Sequence, residues 1–191
     1  TGPIMAKAVE DTAFYRFNRL ASLNEVGGDP SRFGTTLNEF HRFHQNRLPR
    51  FTLSVNATST HDTKRSEDVR ARIHVLSEVP RQWRECVRRW NRINQRHKSD
   101  FDGLEAPSRN AEYLLYQTLI GIWPDRIPQG EERSHLVERV QQHMLKVARE
   151  AKVHSSWISP NEAYESGVLN FVARLFQDDK RKSILPDLDA F

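Results

Sequence analysis

The chain of 191 residues carries 29 Lys plus Arg against 25 Asp plus Glu, 37% hydrophobic residues and a single cysteine, with a mean hydropathy of −0.72. Gly and Pro make only 17 of the residues, and no apolar run approaches the roughly 20 residues a bilayer demands, so collagen-like, low-complexity and transmembrane classes fall away. Cys86 can close no internal disulfide and no cysteine cluster can hold zinc, which makes a reducing, cytoplasmic setting the expectation.

In chain order, Pro3-Ile4-Met5-Ala6 reads as the tail of a short apolar strand, and Val9 to Leu23 as mostly helical. No basic stretch followed by an apolar one opens the chain, so no secretory leader is expected in it, and the start at Thr1, with the first Met at position 5, suggests a piece cut from something longer. Asn24 to Gly34 holds the densest turn chemistry, Gly27-Gly28-Asp29-Pro30. Thr36 followed by Glu39 is a capping box, which predicts a helix over 36–47 with Pro49 beyond its end. Phe51, Leu53, Val55 and Ala57 then alternate with polar residues, the clearest period-two pattern of a strand in the sequence.

Everything after that strand is expected to be helical. Ser66 caps a helix carrying Val69, Ile73 and Leu76; Pro80 starts another, with Trp83, Cys86, Val87, Trp90 and Ile93 on one stripe and Arg84, Arg88, Arg92 and Arg96 on a neighbouring face. A polar connector over 98–108 leads to helices over 109–123 and 132–151. Ser159, Pro160 and Glu162 mark the start of a last one, and from 178 the chain turns polar before ending in Ile184-Leu185-Pro186. The whole is mainly α: a partial strand-helix-strand segment over 1–65 and a helical subdomain over 66–191.

The formal charge of +4 is local, since residues 65–98 hold nine Arg and one Lys against four acids. An Arg-rich helix over 81–96 can be a nucleic-acid or acidic-protein surface, or a solvated, ion-paired face, or part of a packing and lid region. His41 and His44 share a helix face but lack a third metal ligand. Trp83, Trp90 and Trp123 fall on apolar stripes and read as core, whereas Trp157 precedes a helix start and is the least committed of the four to a core.

The richest chemistry lies where the 51–57 strand empties into His61, Asp62, Lys64 and Arg65. Such a cluster can bind a hydroxyl-rich or anionic ligand, or belong to a turn in which Asp62 accepts backbone N–H groups. The strings TGPIMAKAVEDTAFYRFNRLASLNEVGGDPSRFG (1–34), STHDTKRSEDVRARI (59–73) and SWISPNEAYE (156–165) closely resemble the maltooligosyltrehalose synthase family of the α-amylase superfamily, with Ala8 where that family usually has Gly.

The resemblance implies a fragment of a (β/α)8 barrel, about strands six and seven, followed by a helical region. It implies that Asp62 is the third active-site carboxylate, which stabilises the transition state by hydrogen-bonding sugar hydroxyls, and that His61 contacts the same sugar. Nucleophile and general acid, carboxylates roughly 5–5.5 Å apart in retaining enzymes, are expected before Thr1, so the fragment alone is expected to be inactive. The implied reaction moves the reducing-end α-1,4 linkage of a maltooligosaccharide to an α,α-1,1 linkage, with no cofactor, metal, nucleic acid or membrane. Lys7, Glu10, Asp11, Tyr15, Lys64 and Arg65 are candidates to grip the released glucose, or alternatively an ion-pair network bracing the barrel mouth.

Overall fold

In the computed structural model, which describes residues 2–101, 103–177 and 183–191, helices carry the architecture and one short hairpin is the only sheet among those residues. The elements run α1 (Gly2–Ile4), a π-type stretch (Met5–Glu10), two 3₁₀ turns (Ala13–Tyr15 and Ala21–Leu23), α2 (Leu37–Arg47), α3 (Glu67–His74) and α4 (Pro80–Asn94). After them come β1 (Ser99–Phe101), β2 (Leu104–Ala106), α5 (Arg109–Ile122), α6 (Gly130–Ala151), α7 (Glu162–Leu175) and α8 (Leu185–Ala190). A mainly α chain is therefore what the structure holds.

The body forms around α5, which buries Leu114, Leu115, Tyr116, Gln117, Thr118 and Leu119. An amphipathic helix is held chiefly by the face it buries. Ile73 and Leu76 reach this core from one side, Val140, Met144 and Val147 of α6 and Val168, Phe171 and Val172 of α7 from another. Trp83 and Trp90 of α4 meet edge to face at 5.7 Å, and Trp90 meets Tyr116 at 5.3 Å. Indole N–H groups need acceptors when buried. The short α8 supplies them: Trp90 donates to Asp187 at 3.3 Å and Trp123 to Asp189 at 3.0 Å. Three of the four tryptophans are core, as their stripes suggest, and Trp157 is exposed with the Arg149 guanidinium 4.8 Å from its ring centre.

Residues 13–24 fold onto this body. Phe14, Tyr15, Leu20 and Ala21 are buried, the Ala21 N–H donates to Gln117 at 2.7 Å, and Gln117 returns a bond to the Asn18 carbonyl at 2.9 Å. Asn24 closes the segment on itself through the Phe14 and Phe17 carbonyls, both at 2.9 Å.

Several expectations are corrected. The 51–57 segment is not a strand but an irregular, exposed stretch, with Leu53 95% and Val55 94% accessible. A strand needs a neighbour for its backbone groups, and the single sheet among the described residues pairs only β1 with β2. Residues 3–6 are helical rather than a strand tail. Val9 to Leu23 is broken into turns instead of one helix. The connector over 98–108, read as polar loop in a helical region, contains the hairpin, with Ser99 opposite Ala106 and Phe101 opposite Leu104.

That hairpin lies so close to α7 that a Cβ on Gly167 would come 2.6 Å from the Ala106 methyl. The last long helix starts at Glu162 on an Asn161 cap, which accepts from the Tyr164 N–H at 3.1 Å, so Ser159 is not its cap. Ser66 precedes α3 without making a side-chain cap bond. The polar stretch expected from 178 lies outside the described residues up to 182, and beyond it the chain forms α8. By contrast, the Thr36–Glu39 capping box is fully made, and α4 and α5 start and stop within two residues of their predicted limits.

Candidate functional site

Asp11, at the end of the opening helical stretch, is the centre of a charged cluster. Lys7 Nζ lies 2.7 Å from one carboxylate oxygen and Lys64 Nζ 2.9 Å from the other. The hydrogen bond from Lys7, then that from Lys64, holds the Asp11 carboxyl below the ordinary carboxylate range. Lys7 is raised in turn, first by that same bond. Burial works against the Lys64 ammonium, but the Asp11 bond and the neighbouring Tyr15 and Glu10 outweigh it, so its pKa is raised overall. All three groups are charged at neutral pH.

The remaining candidates surround this trio. Glu10 accepts from the Gly27 N–H at 3.2 Å. Tyr15 lies buried, and burial pushes its phenol up. Arg65 is buried as well; burial lowers its guanidinium, which donates to the Ala21 carbonyl at 3.2 Å. Behind Arg65, burial and the nearby charges of Arg65 and Lys146 push the His143 imidazole down to about 4, and its Nε2 is sealed without a hydrogen-bond partner. The end of α6 is tied in through Lys152, which turns left-handed at φ 51° and donates to Thr12 at 2.9 Å. Thr12 itself donates to the Lys7 carbonyl at 2.8 Å.

His61 and Asp62 stand beside this cluster rather than within it. They are the two central residues of a turn over 60–63, closed by the Thr63 hydroxyl donating to the Thr60 carbonyl at 2.7 Å. The turn expected as the alternative reading is present, but threonines hold it rather than the Asp62 carboxylate. His61 Nε2 lies 3.2 Å from Asp62, and the two side chains are 90% and 69% exposed. An accessible imidazole and carboxylate side by side can bond a pair of adjacent hydroxyls.

Sequence reasoning missed Glu25. One of its oxygens accepts from the Lys64 N–H at 2.7 Å, the other from the Arg65 N–H at 3.1 Å, and Arg70 lies 3.3 Å from that second oxygen. The available signal was an acid immediately before Val26-Gly27-Gly28, where a tight turn can fold a carboxylate back. His41 and His44 lie exposed on α2 against the Phe40 ring, and no group of three or more metal-ligating side chains occurs among the described residues. Likewise no helix among them is long and apolar enough to cross a membrane. The row Arg84, Arg88, Arg92 faces outward from α4, and Arg89 beside it pairs with Asp187 at 2.5 Å.

No family model matches the chain. It is 43% identical over 167 residues to proteins from Mycobacterium tuberculosis strains CDC 1551 and H37Rv assigned as maltooligosyl trehalose synthases, a match covering 87% of this chain and 20% of theirs. A crystal structure of maltooligosyl trehalose synthase shares its fold at a TM-score of 0.83 and 39% identity, over 98% of this chain and 24% of that one. The maltooligosyltrehalose synthase of Arthrobacter ramosus does so at 0.77 and 36%, over 99% and 22%. The chain thus spans about a fifth of the curated relatives it matches, and in sequence and fold it corresponds to one segment of a maltooligosyl trehalose synthase.

Proposed function

We propose that this chain works as part of a longer synthase that converts the reducing-end α-1,4 linkage of a maltooligosaccharide into an α,α-1,1 linkage, and that the His61-Asp62 turn and the Asp11 cluster form its share of the sugar site. The carrying observation is the link between the two: Lys64, two residues after Asp62, is anchored on Asp11, so the turn and the cluster are held as neighbours. Residues 1–65 then contribute about strands six and seven of a (β/α)8 barrel and residues 66–191 the helical subdomain that braces them. In this reading residues 3–6 and 51–57, helical and irregular here, take up strand pairing only beside the rest of the barrel.

In this reading Asp62 is neither nucleophile nor acid. It hydrogen-bonds two hydroxyls of the sugar at the cleavage point, and because those bonds strengthen as the ring takes on oxocarbenium character, the gain falls on the transition state. His61 contacts the same sugar. The nucleophile and general acid come from outside these 191 residues; the nucleophile holds the maltooligosyl group while the freed glucose turns and is rebonded through its anomeric oxygen. Hydrolysis competes unless the glucose is gripped and water excluded. Lys7 and Lys64 donate to its hydroxyls, Glu10 and Asp11 accept from them, and Tyr15 and Arg65 support this wall from beneath. The reaction needs no metal or cofactor, and the lone, buried Cys86 suits the cytoplasm.

The test is Asp62→Asn in the full-length synthase, followed by release of trehalose-ended product. A loss of several orders of magnitude with the fold retained is expected, and turnover near the parent rate overturns the assignment. The 191 residues alone should form no such product.

A further inference from the structure

Resting on the reading of Asp62 above, we infer that Glu25 is a positioning residue: with Arg70 it forms a clasp that fixes the base of the 58–65 loop and so sets where His61 and Asp62 meet the sugar. The tip of that loop is closed only by Thr60 and Thr63, and its two reactive side chains face solvent. Its base is held very differently. The Arg70 guanidinium, projecting from α3, donates to the Arg65 carbonyl at 2.6 Å and also to the Thr58 carbonyl, so one planar group bridges both ends of the loop.

Glu25 orients that guanidinium at 3.3 Å and takes the Lys64 and Arg65 N–H groups on its two oxygens at 2.7 and 3.1 Å. A carboxylate with two oxygens and a guanidinium with several donors can fill such a set of directions at once. Both side chains are largely shielded, at 15% exposure for Arg70 and 18% for Glu25, where charge-assisted bonds are least screened.

The clasp explains the turn that sequence reasoning singled out without giving it a role. Glu25 Oε1 accepts from the Val26 N–H at 2.9 Å, and the Gly28 N–H donates to the Glu25 carbonyl at 2.7 Å, so the chain curls around this residue. A Cβ on Gly28 would stand 2.8 Å from the Glu25 carbonyl oxygen and 3.0 Å from that of Leu23, so only glycine allows so tight a curl. The Gly27 N–H, one residue earlier, donates to Glu10. The Gly27-Gly28 turn therefore ties the Asp11 side of the site to the loop side through two acids.

An effect through Asp62 differs from a general loss of structure. Displacing a transition-state group by a fraction of an ångström lowers turnover without changing how the rest of a long substrate binds. The experiment uses the full-length synthase with Glu25→Ala, Glu25→Gln, Arg70→Lys and Asp62→Asn, and measures kcat, KM for a maltooligosaccharide, the melting temperature and hydrogen exchange over 58–65.

Glu25→Ala should lower kcat roughly 10- to 100-fold, with KM within about twofold, a modestly lowered melting temperature, since Arg70 keeps its two carbonyl acceptors, and faster exchange at the Lys64 and Arg65 amides. Glu25→Gln keeps one acceptor but turns its NH2 group toward N–H donors, so it should lose kcat much as Glu25→Ala does. Arg70→Lys cannot bridge two carbonyls in a plane and should repeat the kcat loss, which keeps the test intact if Glu25→Ala fails to fold. Parent-like kcat in Glu25→Ala or Glu25→Gln or, should those variants not fold, in Arg70→Lys, overturns the clasp while Asp62→Asn remains dead. Losses in the clasp variants beside an active Asp62→Asn enzyme overturn the Asp62 reading instead.

Discussion

The helical body and the arm over 26–63 are built from equally clear sequence patterns, yet only the body buries them. In α4 a stripe of apolar residues every three or four positions becomes buried Trp83, Cys86 and Trp90. In α2 the capping box is complete and the helix forms, but none of its residues is buried, and Leu37, Phe40 and Phe43 remain exposed. A helix satisfies its backbone bonds within itself, so local signals suffice to form it. A strand cannot, and the alternation over 51–57 stays irregular. The difference teaches that period and propensity specify which face is apolar, while only a partner turns that face into stability.

The sharpest way to break this comparison is truncation on each side. Trp90→Ala removes a fully buried ring from the body and should cost about 3–5 kcal/mol, whereas Leu53→Ala in the arm should stay within about 0.5 kcal/mol, both read by urea unfolding of the 191-residue chain. Equal costs would erase the distinction.

Next is the ion pair joining α6 to α7. Arg149 donates to both oxygens of Glu165 at 2.9 and 2.8 Å, and Ser155 adds a third bond at 2.5 Å. Arg149 chiefly, then Ser155, holds the Glu165 carboxyl below its usual value despite burial. Glu165→Ala should destabilise the chain measurably, because it removes both acceptors of Arg149 and that of Ser155 at once. Because the folded pKa is depressed, the pair's contribution is complete above the unfolded carboxyl value and is lost as pH falls through the folded one. The acid unfolding midpoint of the variant should therefore lie at higher pH than the parent's.

His143 sharpens the comparison through pH at the border between body and site. Its folded pKa of about 4 lies below the ordinary value of 6.5, so the unfolded chain takes up the proton first and stability falls as pH drops from about 6.5 toward 4. The ring nitrogen is sealed but the residue as a whole is only half-buried, so the effect between pH 7 and 5 should be on the order of 1–2 kcal/mol. His143→Gln should shrink that stability difference by this amount. The smallest expected effect is Thr36→Ala, which removes the hydroxyl that accepts from the Glu39 N–H and donates to the Glu39 carboxylate but leaves the backbone N–H of residue 36 in place, and should cost α2 about 1 kcal/mol. It should appear as lower helicity over 37–47 and leave the main unfolding transition in place.

Much of the body was legible because its signals are local. The Pro80 start, the Trp83-Trp90 stripe and the Pro124 stop follow from backbone and burial rules that need no partner. The hairpin over 99–106 was not, since its six strand residues mix Ser, Asp and Glu with apolar neighbours and owe their pairing to α7. The α8 helix was missed because a six-residue helix has little propensity of its own and exists through Trp90 and Trp123. At the site, Lys7, Asp11 and Lys64 were nominated from a resemblance and stand together in space. Glu25 lay hidden because a carboxylate that binds backbone amides leaves no side-chain pattern in sequence.

On the proposal made above, residues 51–57, irregular and exposed in these 191 residues, pair as a strand once the rest of the synthase is present. Hydrogen exchange at residues 51–57, compared between the 191-residue chain and the full-length protein, tests it most directly. Exchange should be fast in the short chain and slowed on the order of a hundredfold or more in the long one, as ladder bonds like those of core strands form. Equal, rapid exchange in both would contradict that pairing.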